Sequence, residues 1–138
     1  MRDRIVRVVL AIWAAVAVQL GIWATFAPRS FYDDYPGFGR EWVRVDGPYN
    51  EHLVRDFGAL NLALAVVTIA ALVTFGRPLV IAAAVAWLAW GVPHLVYHLR
   101  HLDLYETEDQ VLNVFALAAL PVLAVLVLVL TIGRPVRA

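Results

Sequence analysis

Four long apolar runs constrain this chain more than anything else in it. They lie at about 5–27, 53–75, 79–99 and 111–132, with charged residues only near their ends. A helix needs roughly 20 such residues to cross a hydrocarbon layer of about 30 Å. Lipid offers no partner to an open strand edge, so runs of this kind cross as helices. The chain is 62% hydrophobic and 16% charged, whereas a soluble domain is about 45–50% apolar and about 25% charged. The expected fold is all-α. It is a single transmembrane domain, an integral membrane bundle of four antiparallel transmembrane helices, with outer loops at 28–52 and 100–110.

The first run follows Met-Arg-Asp-Arg and so resembles a secretory signal. It is long for a signal's apolar core, and Pro28 follows Ala27, the one tolerable cleavage position. It is therefore expected to be a span. Thr74-Phe75-Gly76-Arg77-Pro78 reads as a tight turn, with Gly ending one helix and Pro starting the next. Four crossings put both termini on the side of that turn. That side carries Arg2, Arg4, Arg7, Arg77, Arg134 and Arg137 against Asp3, and the other carries five Arg and ten acids. The margin in Arg is narrow, and the basic N-terminus decides it. Both termini are expected in the cytoplasm, across the cytoplasmic membrane of a bacterium, with both long loops outside.

Other classes fall away on composition. The net charge of zero gives no footprint for nucleic acid. With no Cys, disulfides, thiolate metal sites, Cys nucleophiles and c-type haem attachment are excluded. All 11 basic residues are Arg, which with abundant Ala and Val fits a GC-rich bacterial genome.

An internal duplication is also visible. Glu51, Val54, Ala59, Leu60, Thr74, Gly76, Arg77 and Pro78 recur 57 residues later, ending in Thr131-x-Gly133-Arg134-Pro135. Pro28/Tyr32 and Pro93/Tyr97 share a second spacing. A duplicated hairpin would explain both, as in parallel-repeat transporters. Compositional bias between apolar helices would explain them equally well.

The chemistry-bearing residues gather on the outer side. His94, His98 and His101 follow one another at i, i+4 and i+7, the spacing of one helical face. His52 opens the second span, with Asp56 a turn further in. Glu51, Asp109, Asn113 and, from the loop, Asp33 and Asp34 are supporting candidates, and Gln19 and Asn61 lie deeper. Polar groups at hydrocarbon depth face a bundle interior. Imidazoles with carboxylates suit Zn, Fe, Cu or Ni without Cys. The leading expectation is an outward His/carboxylate site for a transition metal, held by His94, His98, His101, His52 and Asp56. No catalytic residue is assigned. A b-type haem between His52 and His94 or His98 is a second use. A quinone or lipid headgroup, walled by Trp87 and Trp90, is a third. Two non-catalytic readings stand beside these. In one, the histidines are interfacial anchors. In the other, the chain is an accessory subunit of a homo-oligomer or larger membrane complex, with the fourth span facing lipid or partner.

The first loop carries Phe31, Tyr32, Tyr35, Phe38, Trp42 and Tyr49 among charges. That composition suits the membrane interface, and a loop so aromatic is expected either to fold as a lid over the outer mouth or, equally, to anchor the chain there as an aromatic belt.

The four short spans with a long aromatic first loop resemble the small DoxX-like membrane proteins of bacteria. The segments Phe-Tyr-Asp-Asp-Tyr-Pro-Gly (31–37) and Tyr-Asn-Glu-His-Leu-Val-Arg-Asp (49–56) are similar to ones in small actinobacterial integral membrane proteins. The DoxX-like resemblance implies a respiratory or redox setting. It implies no activity and no site residues.

Overall fold

The computed structural model describes residues 1–133. It contains five α-helices: α1 (Arg2–Phe26), α2 (Pro28–Asp34), α3 (Glu51–Thr74), α4 (Arg77–Leu99) and α5 (Thr107–Ile132). Four of them, α1, α3, α4 and α5, are long and apolar enough to cross a membrane, with mean hydropathies of 2.2, 2.2, 1.9 and 2.9. The segment expected as a loop at 28–52 is largely structured. It holds α2, a two-stranded hairpin of β1 (Pro36–Gly37) and β2 (Arg40–Glu41), and a 3-10 turn at Arg44–Asp46. In the hairpin Pro36 pairs with Glu41 and Gly37 with Arg40. Its two turn residues, Phe38 and Gly39, both take positive φ, as tight hairpin turns do.

Helix ends follow local chemistry. Asn50 caps α3 by accepting the Leu53 N–H at 3.1 Å, which satisfies one orphan donor of the first turn. The 74–78 turn differs from expectation. The left-handed residue is Phe75 (φ 50°, ψ 26°), whose N–H bonds to Ala71 O, while Gly76 is extended (φ −72°) and precedes α4. Phe75 is held there by the Arg7 guanidinium, 3.9 Å from its ring centroid. Arg7 also donates to Leu72 O at 3.3 Å, and Arg77 donates to Ile132 O at 3.1 Å. Each Arg supplies protons to terminal carbonyls that lack helical donors.

Contacts fix the neighbours. The start of α1 meets the end of α3 through Arg7, and its end meets the start of α3 at Gly58. A Cβ on Gly58 would collide with Thr25, and one on Gly21 would lie 2.8 Å from Leu62. Glycines thus let α1 and α3 approach closely, the packing that serves helices where no hydrophobic effect drives them together. Gly91 of α4 faces Leu120 and Pro121 of α5 with room for a methyl group, which would meet them at 3.4–3.8 Å. The core forms around Trp13 and Trp87, stacked at 5.1 Å. Trp87 Nε1 donates to Thr68 Oγ1 at 2.9 Å, and Thr68 in turn donates to Leu64 O.

The exterior is apolar. Val66, Val73, Phe115, Val122 and Val129 are each more than 60% exposed. Such a surface fits a lipid bilayer and would cost a soluble protein heavily. Of the repeated Thr-x-Gly-Arg-Pro ending, Arg134 and Pro135 lie outside the described residues, as does Arg137.

Candidate functional site

The two chain connections meet at one end of the helices and cap it. Arg40 of the hairpin pairs with Glu108 at 2.6 Å and also with Asp109, both in the first turn of α5. Hydrogen bonding from Glu108 first, then Asp109, holds the Arg40 guanidinium firmly protonated. Tyr105 donates to Trp42 O at 3.2 Å. Tyr32 donates to Gly47 O at 2.6 Å and Tyr97 to Asp46 at 3.0 Å, so two phenols pin one 3-10 turn. Phe31, Tyr35, Trp23 and Phe57 interlock beneath it, with ring centroids 4.9–6.1 Å apart. Burial pushes the phenols of Tyr35 and Tyr105 above their ordinary range.

Below this cap lies a cavity of about 740 Å³. Its walls come from α1 (Trp13, Val16, Gln19), α3 (Val54, Phe57), α4 (Trp90, His94, His98) and α5 (Asn113, Leu117, Leu120), and its roof from Tyr35, Trp42, Val43 and Asp46. The α4 wall is an aromatic ladder. Trp90 stacks on His94 at 4.7 Å, and His94 meets His98 edge-on at 4.8 Å. At 1.5 Å of rise per residue, Gln19, His94 and Asn113 all sit roughly 8–11 Å below the capped helix ends. They form one polar belt in a mostly apolar chamber, below His98 on the wall and Asp46 at the roof.

Three polar atoms of residues that line the cavity lack partners among the described residues and are themselves closed off from it: Trp13 Nε1, Trp42 Nε1 and Asn113 Oδ1. Asn113 is 2% exposed. Leaving a buried polar group unpaired costs about 1–3 kcal/mol. His98 Nδ1 lies 3.1 Å from the Tyr105 oxygen. The phenol proton serves Trp42 O, so Nδ1–H donates to the phenol and Nε2 is left as an acceptor.

The structure brings some of the sequence candidates together and separates others. His94, His98 and Asn113 line the cavity. His52 does not: it is 88% exposed and sits 3.3 Å from Asp56 on the outside of α3. His101 lies past the end of α4, stacked on Tyr97 at 4.2 Å with Nδ1 on Tyr97 O, so the expected three-histidine face ends at His98. Glu51 pairs with Arg55 at 2.8 Å. Asp109 is engaged by Arg40. Asp33 pairs with Arg29, and Asp34 accepts from Ser30. Neither reaches the histidines. The carboxylate at the cavity roof is Asp46, which nothing in the sequence distinguished from its neighbours. Trp87 lies in the core behind Trp90 rather than on the wall. Among the described residues no group of three His, Asp or Glu side chains is placed to hold a metal ion.

No protein-family model, curated protein or solved structure matches the chain. The resemblance drawn above rests on the architecture and on segments 31–37 and 49–56.

Proposed function

We propose that this is a multi-pass protein of a bacterial cytoplasmic membrane, an antiparallel bundle of four spans with both termini inside, that binds an uncharged amphiphile in its capped cavity. Quinones are the representative ligand class: a ring with hydrogen-bonding oxygens on an apolar tail. The observation that carries the reading is the cavity itself. Ligand sites commonly measure about 300–1,000 Å³, with mostly apolar walls and few convergent polar groups. Here the ring would lie against the Trp90–His94 stack. Gln19, His98 and Asn113, the polar side chains on the walls, would supply its hydrogen bonds, Asn113 once its amide turns toward the cavity.

The transition-metal and haem readings find less support. Imidazoles enter the cavity from α4 alone, because His52 stands on the far side of α3. A metal site would need a third ligand beyond His94 and His98, and a bis-His haem would need one from a facing helix. The accessory-subunit reading keeps a place through α5, whose outer face is the most exposed of the four spans.

The test uses untagged protein in vesicles and a decyl-substituted benzoquinone as probe, read by quenching of tryptophan fluorescence. Saturable quenching is expected. Asn113→Leu should weaken it about tenfold or more, the equivalent of one lost buried hydrogen bond. The same substitution should raise the thermal midpoint of the empty protein, because it removes an unpaired amide. Non-saturable quenching equal in wild type and variant would sink the reading. Elemental analysis and an absorbance spectrum of the same sample would reveal a stoichiometric metal or a Soret band instead.

A further inference from the structure

We infer that the cavity is loaded sideways from the hydrocarbon layer, through the seam between α1 and α5. This rests on the ligand reading above and narrows it: the natural ligand is dissolved in the bilayer and carries an apolar tail long enough to stay there.

The helices pair unevenly. α1 packs closely along α3 through Gly21 and Gly58, and α4 lies extensively against α5, whereas α1 and α5 meet sparsely. Three residues at that loose seam line the cavity and are exposed. They are Ile12, 51% exposed, Gln19 and, across from them, Ala116. A side chain that lines a chamber and also meets the exterior marks an opening. The α5 side is lined by Ala116 and Ala119, whose methyl groups leave the gap unfilled.

What surrounds the opening decides what can use it. Its neighbours on α5, Phe115 and Val122, are apolar and exposed, so a water-soluble molecule gains nothing by approaching. Gln19 supplies a polar group at hydrocarbon depth, where an exposed amide is costly. At the seam it offers a headgroup its first hydrogen bond on the way to Asn113. The capped end is more tightly held, by Arg40 on Glu108 and Asp109 and by Tyr105 on Trp42. The competing entrance is there, where Leu53 and Tyr97 also line the cavity and are exposed.

The experiment follows loading of decyl-benzoquinone from the bilayer by stopped-flow tryptophan quenching. Ala116→Phe and Ala119→Phe fill the seam from α5, and Leu53→Phe fills the competing entrance. The seam variants should load and release the probe about tenfold or more slowly, both rates falling together as gated binding requires, whereas a change in the wall's affinity would alter their ratio. Leu53→Phe should load at the wild-type rate. Helical circular dichroism and a thermal midpoint near that of wild type show that a variant has folded. Ile12→Phe, at a site already half exposed, obstructs the seam from the other side should the alanine positions not accept the ring. Absence of saturable quenching in wild type would overturn the cavity reading and the route with it. Saturable quenching with unchanged rates in the seam variants overturns the route alone, and slowing confined to Leu53→Phe moves the entrance to the capped end.

Discussion

At the residue scale, small changes in backbone and packing separate positions that look alike in sequence. Gly58 lies two turns inside α3, and Gly76 caps the start of α4. Gly58 leaves no room for a methyl group against Thr25 and the backbone of Ala24, while at Gly76 the nearest atom is 3.9 Å away and φ is ordinary. Gly58→Leu should therefore destabilise by about 1–3 kcal/mol through overpacking. Gly76→Ala should stay within about 0.5 kcal/mol. Unfolding in mixed micelles on a denaturing-detergent titration measures both, and equal effects would contradict the packing described. The sequence marked Gly76 as the helix stop because Gly favours positive φ. Phe75 takes that role instead, since the Arg7 contact and the Ala71 hydrogen bond hold it there. Asp46 escaped notice for a similar reason. Its place at the cavity roof depends on Tyr32 and Tyr97 converging from two different helices.

At the element scale, the connection between α1 and α3 is a folded unit clamped to α5 and α4. Its aromatic composition suited a lid and an interfacial belt alike, and did not disclose α2 or the hairpin, whose strands have only two residues each. The clamp includes two phenols that burial raises above the ordinary value, Tyr35 and Tyr105. A raised phenol contributes stability that is complete below the unfolded value of about 10 and is lost as pH climbs through the folded value. The cap should therefore loosen in alkali above about pH 10. Hydrogen exchange by the amides of residues 35–47 should accelerate there beyond the intrinsic base catalysis. In the Tyr35→Phe/Tyr105→Phe double variant that excess should largely vanish. An excess of the same size in the double variant would place the alkaline transition elsewhere.

At the scale of the whole molecule, the polar belt, the cap and the apolar exterior make sense as one arrangement across a bilayer. Because the chain has no Cys, any introduced thiol is unique. Phe38→Cys, at a fully exposed hairpin tip, should react with a membrane-impermeant maleimide in intact cells. Arg2→Cys should react only after permeabilisation. The reverse pattern would invert the orientation, and equal reaction of both without permeabilisation would contradict a hairpin tip and an N-terminus on opposite faces. The positive-inside margin is only six Arg against five, so this measurement carries the topology.

The sequence by itself determined the four long helices to within a few residues, because hydrocarbon length and backbone hydrogen bonding leave an apolar run one choice. It also located the end of the molecule where the titratable groups gather. Only the tertiary structure decided which of them face a common space. Helical spacing sets the direction of a side chain on its own helix, but not which side of that helix meets a neighbour. His94 and His98 line the cavity, while His52 points away from it on α3, whose rotation is set by its close packing on α1 through Gly21 and Gly58. A cavity is a property of how helices are spaced, and no single helix encodes it.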